Sequence, residues 1–107
     1  MTYYRDADYE LADKRIDYWV EELTSDFKVP EHTAYSLARY VVLAATPGSF
    51  VKAVLCNNLY EAINRADDTN RAALADIVAA VWNVLPGDCH GDEKAVSRYN
   101  GEEVEDA

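Results

Sequence analysis

The sequence predicts an all-α fold: a compact bundle of four helices, a short C-terminal helix and an acidic disordered tail. Three observations predict it. Apolar residues recur at intervals of three and four through most of the chain, which gathers them on one face of a 3.6-residue helix. Residues that start or stop helices stand between these segments, as at Pro30, Thr46-Pro47, Asp67-Asp68 and Leu85-Pro86-Gly87. One stretch, around the β-branched Val41 and Val42, would also suit a strand, but no partner strand is apparent elsewhere.

The first helix is expected from Asp6 to Leu23, with Ala12, Ile16, Trp19, Val20 and Leu23 on its apolar face and an end near Thr24-Ser25-Asp26. Pro30 suits the first position of a second helix, because its fixed φ fits there and its missing N–H goes unused. That helix runs to Ala45 and is apolar all round from Tyr40 onward, so its second half is expected to be buried. Thr46 as cap and Pro47 at the first position open the central helix, which continues to about Asp68. Its core stripe is Val51, Leu55, Leu59, Ala62 and Ala66, with Phe50 and Val54 beside it. Asp67-Asp68-Thr69-Asn70 caps a fourth helix to Leu85, whose stripe is Leu74, Ile77, Val78, Val81, Trp82 and Leu85. Asp92 caps the short last helix through Tyr99, docked by Ala95 and Val96. Residues 1–99 are expected to form one helical domain and residues 100–107 a flexible acidic tail.

Composition excludes several classes of function. The 107 residues carry a net charge of −10, from 20 acids against 10 Lys and Arg, which opposes direct binding to nucleic acid or to an anionic membrane. The charge is uneven: residues 1–26 sum to −5, 27–66 to +2, 67–99 to −3 and 100–107 to −4. Cys56 and Cys89 are too few for a disulfide framework, and residues 1–5 are not followed by the apolar run of a secretory signal. No apolar run approaches the roughly 18 residues of a membrane helix, so a soluble protein of a reducing cytoplasm is expected.

From Pro47 to Asn83 the pattern PGSF–AVL–N–L–A–RAD–N–AL–IV–N resembles a group of small proteins encoded by bacteriophages and prophages. Pro86-Gly87-Asp88-Cys89-His90-Gly91 continues the likeness, since those proteins carry a proline followed by a cysteine-glycine element. The resemblance covers roughly residues 46–92 and implies a phage setting, but no chemistry. It implies an aromatic residue where His90 stands, which weakens a metal reading of that histidine.

Asp88-Cys89-His90-Gly91-Asp92 is the one cluster of metal-ligand or nucleophile types. A zinc site needs four ligands, and only Cys56 and His32 remain as helpers, both within helical patterns. Adjacent Cys and His on one loop are poorly placed for thiolate activation, so Cys89 is expected to pack as a small hydrophobe. No cofactor, metal or catalytic residue is expected. Asn57 is expected on an exposed side with Glu61 and Asn64, and Asn58 as a partly buried amide bonded to a neighbouring loop. Arg65, Asp67, Asp68 and Arg71 read as capping and orienting residues around a turn.

The acidic stripe of the first helix is the strongest functional candidate. Asp6, Glu10, Asp13, Asp17 and Glu21 recur at spacings of 4, 3, 4 and 4, with only Lys14 and Arg15 nearby and with Tyr3, Tyr4, Tyr9 and Tyr18 interleaved. Most such charge runs are solvated faces, yet aromatics beside charge are what protein interfaces use as anchors. Regularly spaced carboxylates can also imitate a row of phosphates before a basic groove. The expected function is therefore that of a phage-encoded inhibitor, not an enzyme, which binds a host protein with a basic nucleic-acid-binding surface. An anti-CRISPR or similar counter-defence protein, acting in the cytoplasm of the infected bacterium, is its concrete form. The alternative is a self-associating structural or regulatory phage protein, with a homo-oligomer interface around Tyr35, Tyr40 and Tyr60.

Overall fold

The computed structural model describes residues 6–101, and side chains from residue 10 onward. All regular structure within them is helical. The elements are α1 (Asp6–Ser25), α2 (Glu31–Leu43), α3 (Ser49–Leu55), α4 (Leu59–Arg65), α5 (Asp68–Ala72), α6 (Leu74–Val84) and α7 (Glu93–Tyr99), with a 3₁₀ turn at Gly87–Cys89 before the last. The all-α expectation agrees with this, but two of the expected long helices are each divided. The expected tail lies outside the described residues except for Asn100 and Gly101, which close α7.

α1 and α2 form the most extensive helix–helix contact. α1 buries Ala12, Ile16 and Leu23, and leaves Trp19 and Val20 half-buried. Pro30 sits one position earlier than expected, as the residue that precedes α2, with its carbonyl accepting from the Ala34 N–H at 2.9 Å. α2 stops at Leu43, two residues short of the expectation, because Ala44 turns left-handed at φ 53°. Burial at this end is also less than expected: Tyr40 is fully buried, whereas Val41 to Ala45 are half-buried.

The expected central helix is broken at Asn57-Asn58. Asn57 adopts φ 60°, its N–H donates to the Val54 carbonyl at 3.1 Å, and the Asn58 N–H donates to the Ala53 carbonyl at 2.9 Å. These two bonds around a left-handed residue are a Schellman stop, which satisfies the last carbonyls of α3. Asn58 then caps α4, its Oδ1 accepting from the Glu61 N–H at 3.2 Å. Asn58 is thus exposed and bonded within its own segment, not to a neighbouring loop as expected. The opening of α3 differs too: Gly48, not Thr46, is the cap position, and Pro47 lies outside the helix.

Redirection at Asn57 overturns part of the expected core. Val51, Leu55, Ala62 and Ala66 are buried, but Leu59 is 62% exposed. The fourth expected helix is interrupted at Ala73, which separates α5 from α6. Ile77, Val81 and Leu85 are buried there, whereas Val78 (45%) and Trp82 (76%) face solvent. Inside, the hydroxyl of Thr33 on α2 donates to Oδ1 of Asn70 on α5 at 2.5 Å, both residues being buried. The backbone N–H of Asn70 donates to Asp67, which caps α5. Arg71 donates to the Ala66 carbonyl at 3.1 Å and pairs with Asp68, so this turn is held by capping as expected.

The C-terminal segment is fastened to α2 by two tyrosines. Tyr40 donates to the Cys89 carbonyl at 2.7 Å and Tyr99 to the Val41 carbonyl at 2.5 Å, with the two rings 5.0 Å apart. The Gly91 N–H donates to the Leu55 carbonyl at 2.8 Å, and Asp92 caps α7 by accepting from Ala95 at 2.7 Å. Val96 is fully buried beneath it.

Candidate functional site

α1 has the longest run of regular structure, and its register fixes where its charges point. At about 100° per residue, Glu10, Asp13, Asp17 and Glu21 fall within an arc of about 80°. The centre of that arc lies about a third of a turn from the buried Ala12, Ile16 and Leu23. All four carboxylates are exposed, and among the described residues none joins an ion pair. The row from Glu10 to Glu21 is about 16 Å long at 1.5 Å per residue. Exposed Lys14 borders it, and Arg15 stands well off it. Tyr18 (58% exposed) and Leu11 (49%) form an apolar flank beyond Lys14, with the Tyr18 ring edge-on to Trp19 at 5.6 Å. The α1 backbone begins at Asp6, but the side chains of Asp6 and Tyr9 lie outside the described ones.

The Asp88–Asp92 loop is built differently. Cys89 is fully buried, and its thiol donates to the Pro86 carbonyl at 3.0 Å. Burial, and then the neighbouring Asp88 charge, push the thiol up to about 12, so it is protonated at neutral pH and not nucleophilic. Burial likewise raises the Tyr40 and Tyr99 hydroxyls above their ordinary range. His90 packs its ring against Trp82 at 6.3 Å, and its buried Nε2 has no hydrogen-bond partner. Among the described residues no three His, Cys, Asp or Glu side chains converge on a point that could hold a metal ion. His32 instead lies 3.8 Å from Asp67 at the surface.

A third feature was not foreseen. Exposed Leu59 on α4 and Val78 and Trp82 on α6 border a groove over the end of α3. It comprises two hollows that share Val54, Asn57 and Val78. One, of about 210 Å³, reaches Trp82 and His90; the other, of about 150 Å³, reaches Leu59, Ala62 and Leu74. The available signal was the Asn57-Asn58 pair, since asparagine is favoured both in the left-handed stop and as a cap. Of the tyrosines expected at an oligomer interface, Tyr35 and Tyr60 are exposed, but Tyr40 is fully buried and is excluded from it.

No protein-family model, curated protein or solved structure matches this chain.

Proposed function

We propose that this is a phage-encoded, non-enzymatic inhibitor that binds and blocks a basic, nucleic-acid-binding surface of a host defence complex. The observation that carries the proposal is the row of four exposed carboxylates on one arc of α1, with no cationic partner among the described residues. The phage setting rests on the resemblance of residues 46–92, and an anti-CRISPR or related counter-defence protein of the host cytoplasm is its concrete form. At helical spacing Asp6 continues the same arc, whereas Tyr9 falls about 80° from its centre.

Charge density limits how the row can act. Carboxylates every three or four residues stand about 4.5–6 Å apart along the axis, against one phosphate per about 3.4 Å of a DNA strand. The row therefore imitates a strand at reduced density, and phosphate mimicry alone gives incomplete neutralisation of a basic groove. Tyr18 and Leu11, exposed on the flank, supply the apolar anchor that interfaces of this kind use at their centre. The mechanism is steric occupation, with long-range attraction that accelerates encounter and fades with salt.

The test is an affinity pulldown from host lysate at low salt, with wild-type protein beside a variant carrying Asn or Gln at Asp6, Glu10, Asp13, Asp17 and Glu21. Recovery of one nucleic-acid-binding protein by wild type, lost in the variant and weakened by salt, is the expected result. A wild-type pulldown with no nucleic-acid-binding protein, or equal recovery by both, overturns it.

A further inference from the structure

The groove beside α6 points to a second copy of this chain as its occupant. α6 carries one charged residue, Asp76, in a molecule of net charge −10. Its outer side presents Val78 and Trp82 to solvent with no charge between them. The two hollows along this side are lined by apolar residues, asparagines, His90 and Gly91, with no carboxylate. A second copy seated on this side meets no like charge, whereas one approaching by the α1 face meets its row of carboxylates.

The pattern is also self-complementary. Trp82 lies four residues after Val78, and Leu74 four before, so each stands about 6 Å along the axis from Val78. When two α6 helices pack antiparallel about a two-fold axis at Val78, Trp82 of each copy falls at the level of Leu74 of the other. At that level lies the hollow bordered by Leu59, Ala62 and Leu74, of about 150 Å³. Ala53, Val54, Leu59, Ala62, Leu74 and Val78 line it on its apolar side, and a space of that size takes an aromatic ring. The knob and the hole are at matching distances from the axis, and each copy offers both.

We infer that the chain forms a two-fold dimer in which Trp82 of each copy inserts into the Leu59–Leu74 hollow of the other. The contact is independent of the α1 face, and the two respond oppositely to salt. Dimerisation between copies of charge −10 strengthens as ionic strength screens their repulsion, whereas binding to a basic partner weakens.

The experiment is sedimentation equilibrium of the full chain from micromolar to several hundred micromolar, at low and raised salt. Tryptophan emission is followed over the same range in a Trp19→Phe background. The expected result is a monomer–dimer equilibrium that tightens with salt, with emission moving to shorter wavelength as dimer forms. Trp82→Ala weakens it at least tenfold, and Val78→Glu, which sets two like charges across the axis, weakens it at least as much. Both residues are substantially exposed in the single chain, so circular dichroism should show an unchanged fold. A strict monomer at all concentrations, including one whose Trp82 becomes covered only by a different protein, overturns the inference. So does a dimer indifferent to both substitutions.

Discussion

Replacing Asn57 by alanine tests where the central segment of the chain breaks. Asn57 holds φ 60°, a region that costs an ordinary L-residue about 1–2 kcal/mol and that Asn tolerates better than Ala. Asn57→Ala should destabilise the fold by about 1 kcal/mol, or about 4 °C in Tm for a domain of this size. Asn57→Gly, which has no Cβ to strain, should stay within about 0.5 kcal/mol of wild type. Asn58→Ala removes the cap bond to Glu61 and should cost about 1 kcal/mol more by an independent mechanism. Two leucines supply the internal control. Leu55 is fully buried, so Leu55→Ala should cost about 2–5 kcal/mol, whereas Leu59 is 62% exposed and Leu59→Ala should cost less than about 1 kcal/mol. Urea unfolding followed by circular dichroism measures all five. A continuous helix through this segment would make Asn57→Ala stabilising, raise helical ellipticity, and bring the cost of Leu59→Ala up to that of Leu55→Ala. Any of these results refutes the break.

Two further predictions concern the interior. Thr33→Val leaves the buried Asn70 Oδ1 without its donor and should cost about 1–3 kcal/mol, whereas Thr33→Ser, which keeps the hydroxyl, should cost less, as chemical denaturation will show. Burial raises the Cys89 thiol to about 12 and the Tyr40 hydroxyl further, so both bind their protons more tightly in the folded chain than in the unfolded one. Their contribution to stability is then complete below the unfolded values near 9 and 10 and is lost as pH rises above them. Stability should hold flat in this respect up to about pH 8.5, then fall by up to about 1.4 kcal/mol per pH unit per group. Replacing Cys89 by alanine, which removes the titrating thiol, should flatten the slope that begins near 9, read from melting curves between pH 7 and 11. A slope unchanged by that substitution would show that the thiol is not the group responsible.

The helical class, the α1 register, the Asp67 and Asp92 caps and the stop at Leu85-Pro86 were all legible in the sequence. They depend on local period and on side chains that bond to backbone a few residues away. The exposed carboxylate arc of α1 was legible for the same reason, since one helix fixes the angles of its own residues. What only the tertiary structure decided was which apolar residues are covered. Leu59, Val78 and Trp82 satisfy helical spacing as well as Leu55, Ile77 and Val81 do, yet the first three face solvent and the second three are buried. Periodicity states that a face exists, but not how wide an area the neighbouring elements cover. That width depends on the turn at Asn57, which redirects α4, and on the tyrosine bonds that bring residues 89–99 against α2. Those contacts join residues 49 and 58 positions apart, and no local pattern encodes such a separation.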